Sequence, residues 1–267
     1  MKDVHRIIKL LAYALAAAII VGIISCVISL ISGGVIVEHV FSGSKTNTEK
    51  IFSGNEESIL YIEIAASKVT VHQGDILSGV TDNEYISVET RGNKLVAIEK
   101  NHPSVKNNDT YLDITIPKDM IFEKIVIKTG AGLVEAEVLN TEDLELSIGA
   151  GRVSVDKLSV LDEADIESGA GELIVNDGTI YNLDAEMGVG KASIRAEFIG
   201  ENDIESGIGE LELILLGGKE SYKIKADVGI GEFRFDGDVI VNDKTVGNGS
   251  NVMSVESGIG SVKISFE

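Results

Sequence analysis

The distribution of apolar and polar residues divides the chain into two regimes. From Leu10 to Val37 no charged residue occurs over 28 positions. A bilayer core needs roughly 20 apolar residues in a helix, so this run predicts a single transmembrane helix. After residue 57 the period changes to two. Segments 58–67 (SILYIEIAAS), 84–90 (EYISVET), 94–100 (KLVAIEK), 110–116 (TYLDITI) and 123–129 (EKIVIKT) alternate apolar with polar residues. That alternation is the mark of half-buried strands. No segment beyond residue 57 has helical periodicity, which predicts an all-β domain. Pro103 and Pro117 fall at expected strand ends, where a missing N–H is tolerated.

An internal repeat is superimposed on the strands. Gly-x-Gly occurs at Gly130/Gly132, Gly149/Gly151, Gly169/Gly171, Gly188/Gly190, Gly207/Gly209, Gly229/Gly231 and Gly258/Gly260. Successive first glycines are 19, 20, 19, 19, 22 and 29 residues apart. A period near 20 predicts stacked rungs, here a parallel β-solenoid-like stack of strand, Gly-x-Gly corner and strand. Clear copies are ADIESGAGELIV (164–175), NDIESGIGELEL (202–213) and VESGIGSVKI (255–264). Three columns are apolar throughout: three residues before the first glycine, and two and four after the second. The middle residue runs Ala131, Ala150, Ala170, Val189, Ile208, Ile230, Ile259. We expect it to form a fourth inward column. The glycines are expected to supply positive φ or a crowded backbone at each corner.

The organisation reads as a basic N-terminus (1–9), a transmembrane helix (10–37), a polar linker (38–57) and a β-strand-repeat domain (58–267), with the clear repeats in 120–267. Lys2, Arg6 and Lys9 place the N-terminus in the cytoplasm by the positive-inside rule. The apolar run exceeds the roughly 7–15 residues of a signal-peptide core and has no clean cleavage site, so it reads as an uncleaved anchor. Residues 23–26 (IISC) form a loose lipobox that would instead make Cys26 a lipidated terminus, but the following residues stay apolar. The protein is thus expected at the cell membrane, single-pass, with its C-terminal domain outside.

Composition narrows the chemistry. The net charge of the 267 residues is −20, with 23 Lys+Arg against 43 Asp+Glu. Nucleic acid is excluded as a partner, because phosphate contacts need clustered cations. A single Cys excludes a disulfide scaffold and a Cys-based zinc site. The glycine pairs lack the third glycine and helix of a dinucleotide fingerprint, and the repeats lack the Asp of calcium-binding β-rolls. Outward columns carry the charge. Two residues before the first glycine stand Glu167, Glu186, Glu205, Asp227 and Glu256. This carboxylate column is the one candidate cation site, since hard cations favour several carboxylate oxygens; the bland reading is a solvated face. His39, His72 and His102 lie outside any recognisable catalytic pattern, and carboxylate pairs such as Asp236/Asp238 are expected by chance in so acidic a chain.

With its short basic N-terminus, one membrane helix, strand-rich lead-in and repeats such as IESGAGELIV, AEMGVGKASI and IESGIGELEL, the chain resembles the bacterial toastrack family, also called the “putative adhesin” β-strand-repeat family, over residues 58–267. The resemblance implies an envelope protein that senses, scaffolds or binds at the outer face of the membrane. It defines no catalytic or ligand residues to carry over. The expected function is a non-catalytic interaction or sensing module at the cell envelope, partnered by the membrane and an envelope protein or cell-wall component. No cofactor is expected, calcium on the carboxylate column excepted. The alternatives are a β-helical polysaccharide enzyme and a self-assembling surface stalk, the latter stacking through an exposed terminal strand near Ser261–Phe266.

Overall fold

A strand that hides one face still has bare N–H and C=O groups along both edges, and it must find neighbours for them. The computed structural model describes residues 50–54, 57–100, 111–239 and 244–267, and there strands account for most positions. The expected anchor, the basic N-terminus, Cys26, His39, His102 and Pro103 lie outside the described residues. Among the described residues no helix is long and apolar enough to cross a membrane.

The lead-in comprises β1 (Lys50–Gly54), β2 (Ile59–Ile64), β3 (Lys68–Gly74), β4 (Leu77–Thr81), β5 (Ile86–Arg91), β6 (Lys94–Glu99), β7 (Tyr111–Pro117) and β8 (Phe122–Thr129). The five expected strands appear as β2, β5, β6, β7 and β8. The linker reading 38–57 needs correction at its end. Residues 50–54 form β1, which pairs antiparallel with β4; its KIFSG sequence is too short to show a period. The repeats then form β9 (Leu133–Ile148), β10 (Arg152–Ser168), β11 (Glu172–Val175), β12 (Gly178–Tyr181), β13 (Leu183–Ile199), β14 (Glu201–Leu215) and β15 (Tyr222–Phe235). The chain closes with β16 (Asp238–Val239), β17 (Lys244–Gly247) and β18 (Asn251–Phe266).

Successive repeats pair parallel and in register. Val153 lies against Val134, and Ile166 against Leu146; Ala185 lies against Ile166 and Ile204 against Ala185. The three apolar columns are buried as expected, from Ile127 to Val255, Val134 to Val262 and Ala136 to Ile264. Each fully buried aliphatic side chain contributes roughly 1.5–3 kcal/mol, and every rung repeats the contribution.

The stack departs from chain order at its far end. β14 pairs with β18, and β18 pairs with β15. The spatial order is therefore β13, β14, β18, β15. The segment Ser261–Phe266, expected as an exposed terminal strand, is interior: Val262 lies against Leu211 on one side and Phe233 on the other. The irregular 29-residue spacing is the sequence trace of this detour, in which the chain first covers β15 with β16 and β17 in antiparallel pairing. An aromatic cluster closes this end. Phe235 and Tyr222 each lie 5.7 Å from the Phe266 ring, and the Lys219 ammonium stands 5.4 Å from the Phe235 and Phe266 rings.

β18 therefore acts as a bolt, because β15 reaches the parallel stack only through it. Val262→Asp would bury an unpaired charge between β14 and β15, a change that costs several kcal/mol. Hydrogen exchange on this variant should show protection lost together across 222–235, 244–247 and 251–266, while 111–199 stays protected. Retained protection at 222–235 would contradict the bolt.

Candidate functional site

The Gly-x-Gly corners organise the surface. At four successive corners the middle N–H donates to a carbonyl of the preceding rung: Ala131 to Ala65 (2.7 Å), Ala150 to Gly130 (2.6 Å), Ala170 to Gly149 (2.7 Å) and Val189 to Gly169 (2.7 Å). Such short rung-to-rung contact leaves no room for side chains on the flanking residues. A Cβ added to Gly149 would lie 2.5 Å from the Gly130 carbonyl oxygen, and one on Gly207 would lie 2.5 Å from that of Gly188.

The seven corners divide between the two expected possibilities, crowding and positive φ. In the first three the middle residue is Ala and the backbone bends between separate strands. The second glycines there, Gly132, Gly151 and Gly171, have no positive φ. Crowding alone keeps them glycine. A Cβ on Gly132 would lie 2.6 Å from the Ser67 carbonyl oxygen, one on Gly151 would strike the carbonyl of Gly132, and one on Gly171 would lie 2.8 Å from that of Gly151.

The other four pairs are not breaks between strands. Gly188/Gly190, Gly207/Gly209, Gly229/Gly231 and Gly258/Gly260 lie inside the continuous strands β13, β14, β15 and β18. Here the second glycine does take a positive φ: 156° at Gly190 and Gly209, 153° at Gly231 and 147° at Gly260. That conformation is essentially restricted to glycine. Crowding follows the spatial order rather than the chain order. A Cβ on Gly260 would strike the Gly209 carbonyl, and one on Gly231 would strike that of Gly260.

The fourth column does not point inward. Ala131, Ala150 and Ala170 are exposed and Val189 and Ile208 half-buried, while Ile230 is 60 % and Ile259 42 % exposed. The expectation of four inward columns fails because the corner reverses the alternation. The inward residues flanking it, such as Ile204 and Leu211, are an odd number of positions apart, so the middle residue is left on the outer side of the bend.

The turn Ala65–Ser67, on which the first Gly-x-Gly corner stacks, receives its own acceptor from a carboxylate. Glu99, at the end of β6, accepts from the Ala65, Ala66 and Ser67 N–H groups at 2.8, 3.0 and 3.2 Å. It also accepts from the Ser67 hydroxyl at 2.8 Å and the Asn83 amide at 3.1 Å. Burial by itself would push this carboxyl up. The hydrogen bonds from Ala66, Ser67 and Ala65 outweigh it and hold the group below the ordinary carboxylate range. Sequence reasoning missed Glu99, which looks like any polar residue of an alternating strand. At the other end the Tyr222 hydroxyl plays a similar part, accepting from Phe198 N–H and donating to the Leu216 carbonyl.

The carboxylate column is assembled in register. Glu167 faces Glu186, Glu186 faces Glu205, Glu205 faces Glu256, and Glu256 faces Asp227, so Asp227 is last in space. A second acidic column, Asp165, Asp184 and Asp203, runs beside it. Among the described residues none of these eight carboxylates is ion-paired. Across the corner the opposite arrangement holds. Signs alternate there, so Arg152 pairs with Glu172 at 2.7 Å and Lys191 with Glu210 at 3.3 Å. Glu205, central to the acidic array, shows the consequence. Burial, then the charges of Glu256, Asp203, Glu186 and Asp184, push its carboxyl above the ordinary range.

The columns run single file, and among the described residues no group of three His, Cys, Asp or Glu side chains converges to hold a metal ion. His72 is exposed on β3, with Nδ1 3.2 Å from Glu137 Oε1. Asp236 pairs with Lys219. A cleft of about 300 Å³ at the aromatic end is lined by Lys219, Glu220, Tyr222, Ile224, Val246, Gly247 and Phe266, and its Lys219 is held by Asp236.

This architecture matches a family. The chain belongs to the toastrack family DUF4097, whose model covers residues 48–242; β17 and the bolt β18 lie beyond the match. Among curated proteins, none matches the sequence. Solved structures with similar backbones include a “putative adhesin” from Bacteroides fragilis, 18 % identical, covering 83 % of this chain and 98 % of that one, with a TM-score of 0.45. Others are a “putative cell adhesion protein” from Clostridium sporogenes (15 %, 82 % and 99 %, TM-score 0.38) and a “putative lipid binding protein” from Parabacteroides distasonis (17 %, 84 % and 98 %, TM-score 0.39). At these identities and TM-scores the likenesses bear on none of the residues described above.

Glu99 and Glu205 have opposite pH signatures. The native Glu99 binds its proton more weakly than in the unfolded chain, so its stabilisation is present at neutral pH and is lost as pH falls through its lowered native pKa. The native Glu205 binds its proton more tightly, so its penalty is present at neutral pH and is relieved as pH falls through its raised native pKa. At pH 7 Glu99→Gln should lower the thermal midpoint and Glu205→Gln raise it, each by about 2–4 °C per kcal/mol for a domain this size. The gain from Glu205→Gln should vanish in acid. Thermal scans by circular dichroism from pH 7 to pH 4 check both signs.

Proposed function

We propose that the protein is a membrane-anchored, non-catalytic interaction module whose β-stack stands outside the cell membrane and binds a component of the envelope. The observation that carries this reading is the surface itself. In-register stacking aligns equivalent outward positions from rung to rung, so the molecule presents linear columns, one of them uniformly acidic, rather than a convergent constellation. Columns suit recognition of an extended or repetitive partner surface. The anchoring rests on the uncharged run Leu10–Val37 behind Lys2, Arg6 and Lys9. The acidic stack fits a position held off anionic headgroups by a linker, since like charges repel there. The stalk alternative relied on an open strand at Ser261–Phe266, and that strand is interior.

Two measurements on whole cells check the reading. A membrane-impermeant amine reagent should label lysines of the stack in intact cells, and photocrosslinkers placed on its outward columns should capture a reproducible envelope component. Labelling only after lysis would overturn the topology. Crosslinks no different from those of the anchor alone would overturn the interaction role.

A further inference from the structure

We propose that the corner column Val189–Ile208–Ile259–Ile230 is a docking ridge for a cationic amphipathic helical segment of a partner. The proposal rests on the interaction role above and assigns its site. The four side chains are neighbours in space: Val189 faces Ile208, Ile208 faces Ile259, and Ile259 faces Ile230. Ile259 has a rung on either side and is still 42 % exposed, so the column faces solvent there and at Ile230 and is half-buried at Val189 and Ile208. Each member sits between two glycines, which leaves strips without side chains on both sides of an aliphatic ridge. Ala131, Ala150 and Ala170 stand at the other kind of corner, so the aliphatic side chains are confined to these four rungs. Rows of exposed aliphatic side chains are uncommon on a protein that binds nothing.

The surroundings specify the partner. On the strands leading into the corner stand Asp184, Glu186, Asp203, Glu205, Glu256 and Asp227, none ion-paired among the described residues, against the single cation Lys225 at the end of the Asp184–Asp203 column. On the strand leaving it, Glu210 already holds Lys191 and Lys263 at 3.3 and 3.5 Å. The unbalanced charge beside the ridge is therefore negative and complements Lys or Arg. A second copy would bring two acidic columns together, and an anionic lipid surface would be repelled. β14 and β18 are paired on both edges, so this surface offers side chains rather than strand addition. Three rung intervals span roughly 14 Å, the length of about nine helical residues. A helix with Leu at i, i+4 and i+7 and Lys along one side meets these requirements.

The test uses the full chain in nanodiscs of zwitterionic lipid and a labelled 14-residue peptide with that Leu/Lys pattern, read by fluorescence anisotropy. Ile230→Thr/Ile259→Thr keeps β-branching and strand preference while removing the apolar ridge. It should weaken binding about tenfold at an unchanged thermal midpoint. Asp203→Asn/Glu205→Gln should weaken it severalfold and flatten its salt dependence. Equal binding of a peptide with Ser in place of Leu, or binding unaffected by the Thr pair, would overturn the proposal. So would self-association of the wild type that the Thr pair abolishes, since the occupant would then be a second copy. Envelope crosslinks that persist in the Thr pair would overturn this site and leave the interaction role standing.

Discussion

At its Gly-x-Gly corners each rung of this protein lies too close to its neighbour for a side chain, and the rest of the molecule follows from that contact. The amide in the middle of a corner donates to the rung before it at 2.6–2.7 Å, and the flanking residues can hold no Cβ. Corners that must stack this tightly lock the strands into register on both sides. Register then aligns each inward position with its equivalents, giving three buried aliphatic columns, and each outward position likewise. Whether an outward column is neutral or charged depends only on its signs. Alternation gives a ladder of ion pairs, as from Arg152 to Glu210. Uniform sign gives an array such as that around Glu205, where each neighbour costs roughly 1 kcal/mol in water.

A one-dimensional stack has two ends, and both need groups that repetition does not provide. At the turn Ala65–Ser67, beneath the first Gly-x-Gly corner, Glu99 supplies the acceptors that a preceding rung would have supplied. At the other end the Tyr222 hydroxyl, the aromatic rings of Phe235 and Phe266, and the antiparallel β16 and β17 cover what would be an open edge. Placing β18 inside the stack makes the terminal rung β15 depend on the last strand of the chain. A sheet edge that invites further strands is thereby confined.

Much of this was legible in the sequence, because a repeat writes the same physics many times. The all-β class, the parallel register, the glycine contacts and the three inward columns all follow from spacing. What failed depended on geometry with no period. The middle residue of each corner looks apolar and therefore inward, yet the corner shifts the alternation and turns it out. Identical Gly-x-Gly letters also conceal two backbones: Gly132 and Gly151 serve crowding alone, while Gly231 and Gly260 add a positive φ within an unbroken strand. The insertion of β18 left only an irregular spacing of 29. Glu99 left no signal, since its role comes from where β6 ends in space. The acidic column was visible as a set of residues, but its spatial order, with Asp227 beyond Glu256, required the pairing.

The misread column also changes what the surface offers. The outward Val189–Ile230 ridge stands beside the acidic array, so apolar and anionic features occur together on one corner. The central claim is that stacked corner amides, rather than the flat strands alone, hold the rungs in register. Amide-resolved hydrogen exchange tests it most directly. The amides of Ala150, Ala170 and Val189 should exchange as slowly as those of the buried positions Val153, Ile166 and Ala185. Exchange of the corner amides at the rate of an open loop, with the strands still protected, would contradict it.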